Sequence, residues 1–247
     1  MGVKHLVIGL GEVGTAIKNI LKCDGHDTFK GIIASGKYDV LHICFPHTEG
    51  FEERVLEYKN TFDADLVTIH TTTPIGTCSK LKAVHSPIRG VHPDLEESIR
   101  TFVKFFGGER AKEASKFFEE LGIRTEITAK SENTEAMKLW DTTQYGAMIM
   151  LNKEIHQYCD ENKLDFDIVY TKANQTYNDG YNKLGMPFVS RPYLKYMEGK
   201  IGGHCIIPNS KLLGSETPRK IVEKNDKIDG TKSGRIFEDR IRILNNK

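Results

Sequence analysis

Residues 4–17 of this 247-residue chain, KHLVIGLGEVGTAI, decide the fold. The apolar run Lys4–Leu10 predicts a strand, and apolar residues that recur at helical spacing after Gly14 predict a helix. Between the two lie Gly9, Gly11 and Gly14, which fit the spacing G-x-G-x-x-G. A strand, a tight glycine turn and a helix in this order indicate a turn that binds the phosphates of a dinucleotide.

Each glycine of this turn has a physical role. Gly9 permits the tight turn, Gly11 lets the backbone approach a pyrophosphate, and Gly14 allows the helix to pack closely on the strand. The amino terminus of the helix adds free N–H groups and the positive end of its dipole. A glycine turn without a ligand is the alternative. The predicted cofactor-binding residues are Gly9, Gly11, Glu12, Val13 and Gly14.

The adenosine end of such a site requires an Asp or Glu about 20 residues after the turn, where it binds the ribose hydroxyls. We predict the second strand at Asp27–Ile33, and the residues at its end, 32–35, include no carboxylate. Lys30 or Lys37 would then meet a 2′-phosphate, unless both are solvated surface lysines. The sequence leaves NAD and NADP as alternative cofactors.

Strands and helices alternate through the first half of the chain. Such alternation is typical of a parallel sheet with helices on its faces. We therefore predict an α/β fold with an N-terminal Rossmann domain over residues 1–130. The further predicted strands are Val40–Phe45, Leu66–Ile69, Thr101–Phe106 and Thr125–Thr128, and the predicted helices are residues 49–60 and Ala111–Leu121.

From about Ser131 the apolar residues recur every three or four positions, which predicts one long amphipathic helix from Glu132 to about Asn162. We predict a smaller all-α domain built around this helix at residues 131–214, and a charged tail at residues 215–247. The tail contains four apolar residues that would form one short docking helix: Ile236, Phe237, Ile241 and Leu244.

The composition excludes several classes of protein. With 38% hydrophobic and 28% charged residues the chain can bury a core, and Lys plus Arg (35) nearly cancels Asp plus Glu (34), which disfavours a nucleic-acid binder. No apolar run approaches the roughly 20 residues that cross a bilayer, and the first residues do not resemble a signal peptide. We expect a soluble, cytoplasmic protein with neither nucleic-acid nor membrane partners.

The cysteines and histidines indicate neither a disulfide framework nor a metal centre. The five cysteines are odd in number and form no CxxC pair. His85, His92 and His204 lack the i, i+4 spacing of helical metal ligands, so we predict no metal site. The cysteines interpreted as small buried hydrophobic residues are Cys23, Cys44, Cys78 and Cys159.

Several stretches resemble, in the right order, the UDP-glucose/GDP-mannose dehydrogenase family of the 6-phosphogluconate dehydrogenase-like group. The most specific is Gly202–Pro208, GGHCIIP, which resembles the G-G-H-C-I-P active-site loop of the family. The resemblance covers roughly residues 1–213. The other matching stretches are Gly9–Gly14, Thr71–Thr77, Gly107–Glu109, Glu135–Leu139 and the pair Asn152 and Glu154.

The resemblance implies an NAD-dependent enzyme that oxidises an alcohol twice. In that family a cysteine captures the aldehyde as a thiohemiacetal, a second oxidation leaves a thioester, and water releases the acid. The cysteine maps to Cys205, whose thiolate is nucleophilic and leaves well from a thioester. Lys138 maps to the lysine that stabilises the developing oxyanion. Thr72 is predicted as a third catalytic residue and a cofactor contact, with the substrate between the two domains.

The chain departs from the family at three positions and in its length. The family's glutamate falls at Ile88, its asparagine at Thr142 and its aspartate at Asn209, and the third domain that completes the nucleotide-sugar site has no room here. We predict Arg89, Thr142 and Asn209 as substrate-binding residues. A guanidinium binds an anionic group bidentately, although a surface arginine is the alternative at Arg89.

The leading prediction is an NAD(P)-dependent oxidoreductase of an alcohol or aldehyde, with a nucleotide sugar among the candidate substrates. The alternatives are a two-electron dehydrogenase of a small hydroxy or keto acid, and a catalytically inactive nucleotide-binding dimer. We expect a homodimer, because the apolar face of the long helix needs a partner to cover it. Trp140, Tyr145 and Met148 are interpreted as core or dimer packing.

Overall fold

The computed structural model describes residues 2–90, 93–203 and 205–229. The described chain forms two compact units, and the division between them falls between Lys138 and Leu139. We call the part before the division unit 1 and the part after it unit 2. No helix in the described ranges combines the length and the apolar character needed to cross a bilayer.

Unit 1 contains a seven-stranded sheet. Its strands are β1 (His5–Ile8), β2 (Asp24–His26), β3 (Val40–Ile43), β4 (Leu66–Ile69), β5 (Val84–His85), β6 (Lys104–Gly107) and β7 (Thr125–Thr128). Their order across the sheet is β2-β1-β3-β4-β5-β6-β7. Neighbouring strands are parallel except β5 and β6, where His85 pairs with Gly107 in the antiparallel sense. The strand order reverses between β1 and β3, which is where α/β sheets bind ligands.

Helices join the strands of unit 1 and make up most of the regular structure of unit 2. They are α1 (Glu12–Leu21), α2 (Phe51–Thr61), α3 (Thr77–Lys80), α4 (Leu95–Thr101), α5 (Ala111–Glu119), α6 (Ser131–Glu161), α7 (Ala173–Lys183), α8 (Ile206–Lys211) and α9 (Glu216–Lys227). The predicted α/β fold class, with a Rossmann-like sheet followed by a long helix, is confirmed. The long helix α6 lies within one residue of its predicted position at either end.

The second strand is not where the sequence predicts it. The expected strand Asp27–Ile33 is wrong, since β2 precedes it and Thr28–Lys30 forms a 3-10 turn. The last residue of β2, His26, is buried, and its ring centroid lies 5.4 Å from those of Tyr58 and Phe62. The isoleucines that follow, Ile32 and Ile33, are exposed and do not belong to the sheet.

Two other segments also differ from the prediction. The strand expected at Thr101–Phe106 starts later, because Leu95 and Ile99, four residues apart, are both buried on one face of α4. Helix α9 is not predicted from the charged sequence, yet Ile221 on it is buried. The docking helix expected near the end of the tail, together with His92 and His204, lies outside the described residues.

The core of unit 1 has a layer on each face of the sheet. One layer joins the sheet to α1, α4 and α5 through buried residues such as Val7, Ile17 and Phe118. The other joins it to α2 and α3 through residues such as Leu6 and Phe51. Side chains of β1 alternate between the two layers, as the pleat of a strand requires.

Unit 2 has its own smaller core. Ile149 and Met150 of α6 pack with Leu194, Ile201 and Ile221, all of them buried. Helix α8 approaches α6 closely, because a Cβ at position 146, a glycine, would lie only 2.6 Å from a methyl group of the isoleucine at position 206.

A row of polar side chains is buried in the first core layer of unit 1. We call His5, His42, His70 and Lys104 the histidine row. Successive imidazole nitrogens lie 3.0 Å apart, and the Lys104 ammonium nitrogen lies 3.3 Å from Nδ1 of His70. His42, His70 and Lys104 are almost fully buried. Burial lowers the pKa of Lys104 to about 7 and holds the pKa of His42 and His70 well below the usual range.

Lys104 makes the stability of the protein depend on pH in the alkaline range. Between about pH 7 and its ordinary pKa of 10.5, unfolded Lys104 binds a proton that the folded chain does not bind. The free energy of unfolding should therefore rise with pH in this window, by up to about 1.4 kcal/mol per pH unit. The Lys104→Met variant should lose this rise, as measured by urea denaturation at several pH values.

The exposed lysine Lys80 gives the matched control. Lys80→Met should keep the pH slope of the unsubstituted protein. Equal slopes in the Lys104→Met variant and the unsubstituted protein would show that Lys104 is protonated in the folded state.

Candidate functional site

The glycine turn has the close contacts that its spacing predicts. Gly9 has φ of +86°, and a Cβ on it would lie 2.9 Å from the backbone nitrogen of Phe45. A Cβ on Gly14 would lie 1.8 Å from the carbonyl oxygen of Gly9, so α1 sits directly on the turn. At Gly11, in contrast, a Cβ would meet nothing within 4 Å. The backbone at Gly11 therefore borders open space, as an approach to a pyrophosphate requires.

Helix α1 presents its amino terminus at this open space. Gly11 is its N-cap residue, so the first-turn amides receive no side-chain cap from that position. These donors and the helix dipole favour an anion. Glu12 is exposed, whereas Val13 is half-buried against the core. The backbone amide is thus the part of Val13 that could contact a cofactor.

Asp27 places a carboxylate at the end of the observed second strand, where the sequence predicts none. It follows β2 directly, and its Oδ2 accepts a hydrogen bond from the Leu10 amide at 2.8 Å, while Oδ1 accepts one from the Lys30 amide at 3.1 Å. The amide of Leu10 in particular lowers the pKa of Asp27. The Lys30 ammonium donates to the Leu10 carbonyl at 2.5 Å, and Lys37 pairs with Asp63 instead. The expectation of a second strand ending without an acid is wrong.

The loop after β4 is fixed by a buried carboxylate of α6. Glu135 is fully buried and accepts hydrogen bonds from Thr73 Oγ1 at 3.1 Å, the Gly76 amide at 2.6 Å and the Cys78 amide at 2.8 Å. Thr72, the predicted cofactor contact, is half-buried in the same loop. The sequence predicts no role for Glu135, although Glu135 begins the stretch EAMKL that resembles the family.

Lys138 has a backbone partner where the family has an acid. Its ammonium donates to the carbonyl oxygen of Ile88 at 2.7 Å, and the side chain of Ile88 is buried. Arg89 is half-buried, with its guanidinium carbon 5.9 Å and 5.8 Å from the ring centroids of Phe102 and Phe105. Lys138 is thus bonded to the segment that follows β5, and Arg89, which belongs to that segment, lies against two aromatic rings.

In unit 2 two predicted substrate-binding residues contact each other. Asn209 Nδ2 donates to Thr142 Oγ1 at 3.0 Å, and these are the positions at which the family has an aspartate and an asparagine. Cys205 is exposed immediately before α8, and its carbonyl accepts from the Asn209 amide at 3.0 Å. Within unit 2, the structure therefore links Thr142, Asn209 and the backbone of Cys205.

The predicted residues fall into two sets. Unit 1 contains the glycine turn, Thr72, Arg89 and Lys138, and unit 2 contains Thr142, Cys205 and Asn209. The pairing of Lys138 with Cys205 stays a prediction. His85 is buried and hydrogen-bonds to Thr134 Oγ1 at 2.9 Å and to the Thr71 carbonyl at 3.2 Å, so it ties the end of β5 to α6.

Solved structures with this fold include dehydrogenases. The UDP-D-ManNAc dehydrogenase of Pyrococcus horikoshii matches with a TM-score of 0.75 and 17% identity, over 91% of this chain and 68% of that one. The UDP-glucose dehydrogenase of Pyrobaculum islandicum matches with a TM-score of 0.63 and 13% identity, over 91% and 68%. The 3-hydroxyisobutyrate dehydrogenase of Mycobacterium tuberculosis matches with a TM-score of 0.64 and 12% identity, over 92% and 94%.

No protein-family model and no curated protein matches the sequence. The structural neighbours establish the fold, and they include UDP-sugar dehydrogenases of the kind that the sequence resembles.

Glu135 generates a prediction about stability. Glu135→Gln replaces one of the two carboxylate oxygens, which accept three hydrogen bonds, by an NH₂ group that can only donate. At least one of the three buried donors therefore loses its acceptor. We expect the free energy of unfolding to fall by about 2–3 kcal/mol, measured by chemical denaturation. Glu126→Gln, at an exposed position on β7, is the control and should change stability by less than about 0.5 kcal/mol. A similar stability for both variants would contradict the assignment.

Proposed function

We propose that this chain is an NAD(P)-dependent oxidoreductase acting on an alcohol or aldehyde. The observation that carries the proposal is the glycine turn, with open space at Gly11, the amino terminus of α1 beside it and Asp27 after β2. The turn would hold the pyrophosphate and Asp27 the adenosine ribose. When bound, the nicotinamide of the dinucleotide accepts or gives a hydride.

We propose NAD as the preferred cofactor. The carboxylate of Asp27 has its pKa lowered, so it is ionised at neutral pH. An ionised carboxylate accepts hydrogen bonds from a ribose 2′-hydroxyl and repels a 2′-phosphate. Lys30 donates to the Leu10 carbonyl in this structure, which supports the same choice.

Lys138 is the proposed oxyanion-stabilising residue. Its hydrogen bond to the Ile88 carbonyl restricts the ammonium, so less conformational entropy is lost when a substrate oxygen binds. An ammonium at this position stabilises negative charge that develops on the oxygen of an alcohol or hemiacetal. The loop that contains Thr72, held by Glu135, is the proposed contact for the nicotinamide half of the cofactor.

Cys205 is the proposed nucleophile for a second oxidation. Its thiol is exposed, as attack on a substrate aldehyde requires. Asn209, where the family has an aspartate, and Thr142 present an amide and a hydroxyl. These groups could orient a substrate hydroxyl by hydrogen bonds, and neither can act as a general base.

A two-electron oxidation of a small hydroxy acid is the second candidate. This chain covers 94% of the 3-hydroxyisobutyrate dehydrogenase, but 68% of the UDP-sugar dehydrogenases. Ile88 and Asn209 stand where the family has acids, and a reaction without a thioester needs no acid to assist hydrolysis. Arg89 would then bind the carboxylate of the substrate.

We also propose a homodimer formed through unit 2. Five of the large apolar side chains exposed on its described surface lie on α6 and at residues 164–169, with 43–57% of each exposed: Leu151, Tyr158, Leu164, Ile168 and Val169. Packing these side chains against a second copy would remove their apolar surface from water. Light scattering should give twice the monomer mass, and Leu151→Glu together with Ile168→Glu should give the monomer mass. A monomer without these substitutions would contradict the proposal.

Two glycine variants test the cofactor site. Gly11→Ala projects a methyl group into open space, so stability should change by less than about 1 kcal/mol while NAD affinity falls roughly tenfold or more. Gly14→Ala should instead destabilise the fold by about 1–3 kcal/mol, because its Cβ clashes with Gly9. Calorimetric titration and denaturation measure both effects. Unchanged NAD affinity in a folded Gly11→Ala protein would contradict the proposal.

The stoichiometry of NADH formation separates the candidate reactions. With a UDP-sugar substrate in limiting amount, a thioester mechanism yields two NADH per substrate, and Cys205→Ala should yield at most one. With 3-hydroxy acids, one NADH per substrate and no effect of Cys205→Ala would support the second candidate. NAD binding without turnover of any substrate would support the inactive dimer.

A further inference from the structure

The histidine row runs through the sheet of unit 1 from the amino-terminal ends of the strands β1–β5 to their carboxyl-terminal ends. We call these two sides of the sheet the amino edge and the carboxyl edge. His5 begins β1 at the amino edge, and His42 lies within β3. His70 and Ser86 directly follow β4 and β5, at the carboxyl edge. A Rossmann sheet ordinarily fills this layer with aliphatic side chains, so a continuous polar path through it requires a reason.

Every step along the row is a hydrogen-bond distance. His5 Nδ1 lies 3.0 Å from His42 Nε2, and His42 Nδ1 lies 3.0 Å from His70 Nε2. At the inner end, His70 Nδ1 lies 2.8 Å from the carbonyl oxygen of Ser86. The Lys104 ammonium nitrogen lies 3.1 Å from the same oxygen and 3.3 Å from His70 Nδ1.

These distances fit one arrangement with neutral Lys104. Each imidazole carries its proton on Nδ1, so His5 donates to His42, His42 donates to His70, and His70 donates to the Ser86 carbonyl. Lys104 then donates to the same carbonyl. All three imidazoles are neutral and every bond has one donor and one acceptor.

The same distances fit a second arrangement with charged Lys104. Each imidazole now carries its proton on Nε2, so His70 donates to His42 and His42 donates to His5. The ammonium of Lys104 donates to the bare Nδ1 of His70 and to the Ser86 carbonyl. The imidazoles are again neutral, and the two arrangements differ by one proton.

We propose that the histidine row is a proton wire that carries a proton between solvent at His5 and the buried amine of Lys104. A proton from water binds Nε2 of His5, and the Nδ1 proton of His5 moves to His42. The Nδ1 proton of His42 moves to His70, and that of His70 moves to the lone pair of Lys104. One proton enters and one N–H bond forms on Lys104, while each imidazole exchanges an Nδ1–H bond for an Nε2–H bond.

The two ends of the row suit this transfer. His5 is half-buried and lines a groove of about 400 Å³ at the amino edge, together with Lys4, Lys22 and Asp24. Lys104 is 4% exposed, so its amine has little direct contact with solvent. The row gives this amine a hydrogen-bonded path to the half-buried His5.

The groups around the row favour the neutral imidazoles. Burial lowers the pKa of His5, and the carboxylate of Asp39 opposes part of that effect. Cys44 and His85 act electrostatically on the inner end, and burial raises the pKa of the Cys44 thiol. Helix α5 covers the row with two aromatic rings, those of Phe117 and Phe118. No carboxylate is among the groups that act on Lys104 in the part of the chain that the structure describes.

The inner end of the wire adjoins the candidate site. Ser86, whose carbonyl accepts from His70 and Lys104, belongs to the same short segment as Ile88, whose carbonyl accepts from Lys138. The charge on Lys104 therefore links the pH at the amino edge of the sheet to the electrostatic field near Lys138. This inference does not depend on the reaction that the protein catalyses.

Nitrogen-15 NMR of histidine-labelled protein tests the wire directly, because imidazole shifts distinguish the two neutral tautomers and the cation. As the pH falls through the titration of Lys104, near 7, His42 and His70 should both change from the Nδ1–H to the Nε2–H form while staying neutral. Lys104 should gain its proton over the same pH range. A fixed tautomer at His42 or His70 during this titration, or an imidazolium at either, would overturn the proposal.

Two variants distinguish proton transfer along the row from a purely structural role of its side chains, and a third variant is the control. Lys104→Met removes the acceptor, so the three imidazoles should keep the Nδ1–H form at every pH at which the protein is folded. His42→Gln keeps a hydrogen-bonding side chain but cannot relay a proton rapidly, so proton exchange at Lys104 should slow at least tenfold. His85→Gln, at a buried histidine on the other face of the sheet, should leave the tautomer change intact. A tautomer change that persists in Lys104→Met would also overturn the proposal.

Discussion

The contact between the first turn of α1 and the end of β1 is the constraint on which unit 1 depends. Because Gly14 has no side chain, α1 rests on the carbonyl of Gly9, and the turn between them is forced into a single shape. That shape turns the Leu10 amide toward Asp27 and so joins the end of β2 to the same turn. The phosphate end and the ribose end of the proposed cofactor site are thus set by one backbone contact.

The sequence predicts those parts of the fold in which local pattern and tertiary structure agree. The strand β4 and the long helix α6 are of this kind, since β4 is a short apolar run and the apolar residues of α6 recur at helical spacing. The strand β2 is different, because Asp24–His26 has no apolar alternation and gains its structure from pairing with β1 and from the burial of His26. No window of the sequence contains that information.

For the candidate site too, the sequence predicts some features and not others. Motifs identify positions such as Gly11, Lys138 and Cys205, but they do not identify the partners that hold them. Glu135 binds a loop about sixty residues earlier in the chain, and the Ile88 carbonyl replaces a side-chain acid that the sequence lacks. Backbone groups carry no sequence signature, so a lost carboxylate cannot be matched with its replacement until the fold is known.

The histidine row has a consequence for how this sequence can vary. Replacing a single imidazole by an aliphatic side chain strands the ring nitrogens of its neighbours in an apolar core, which costs more than the imidazole itself contributes. Replacing all four members by aliphatic residues would leave an ordinary Rossmann core. Few sequences with only some of the four residues replaced would therefore be stable. We expect related sequences to keep all four residues of the row or none of them.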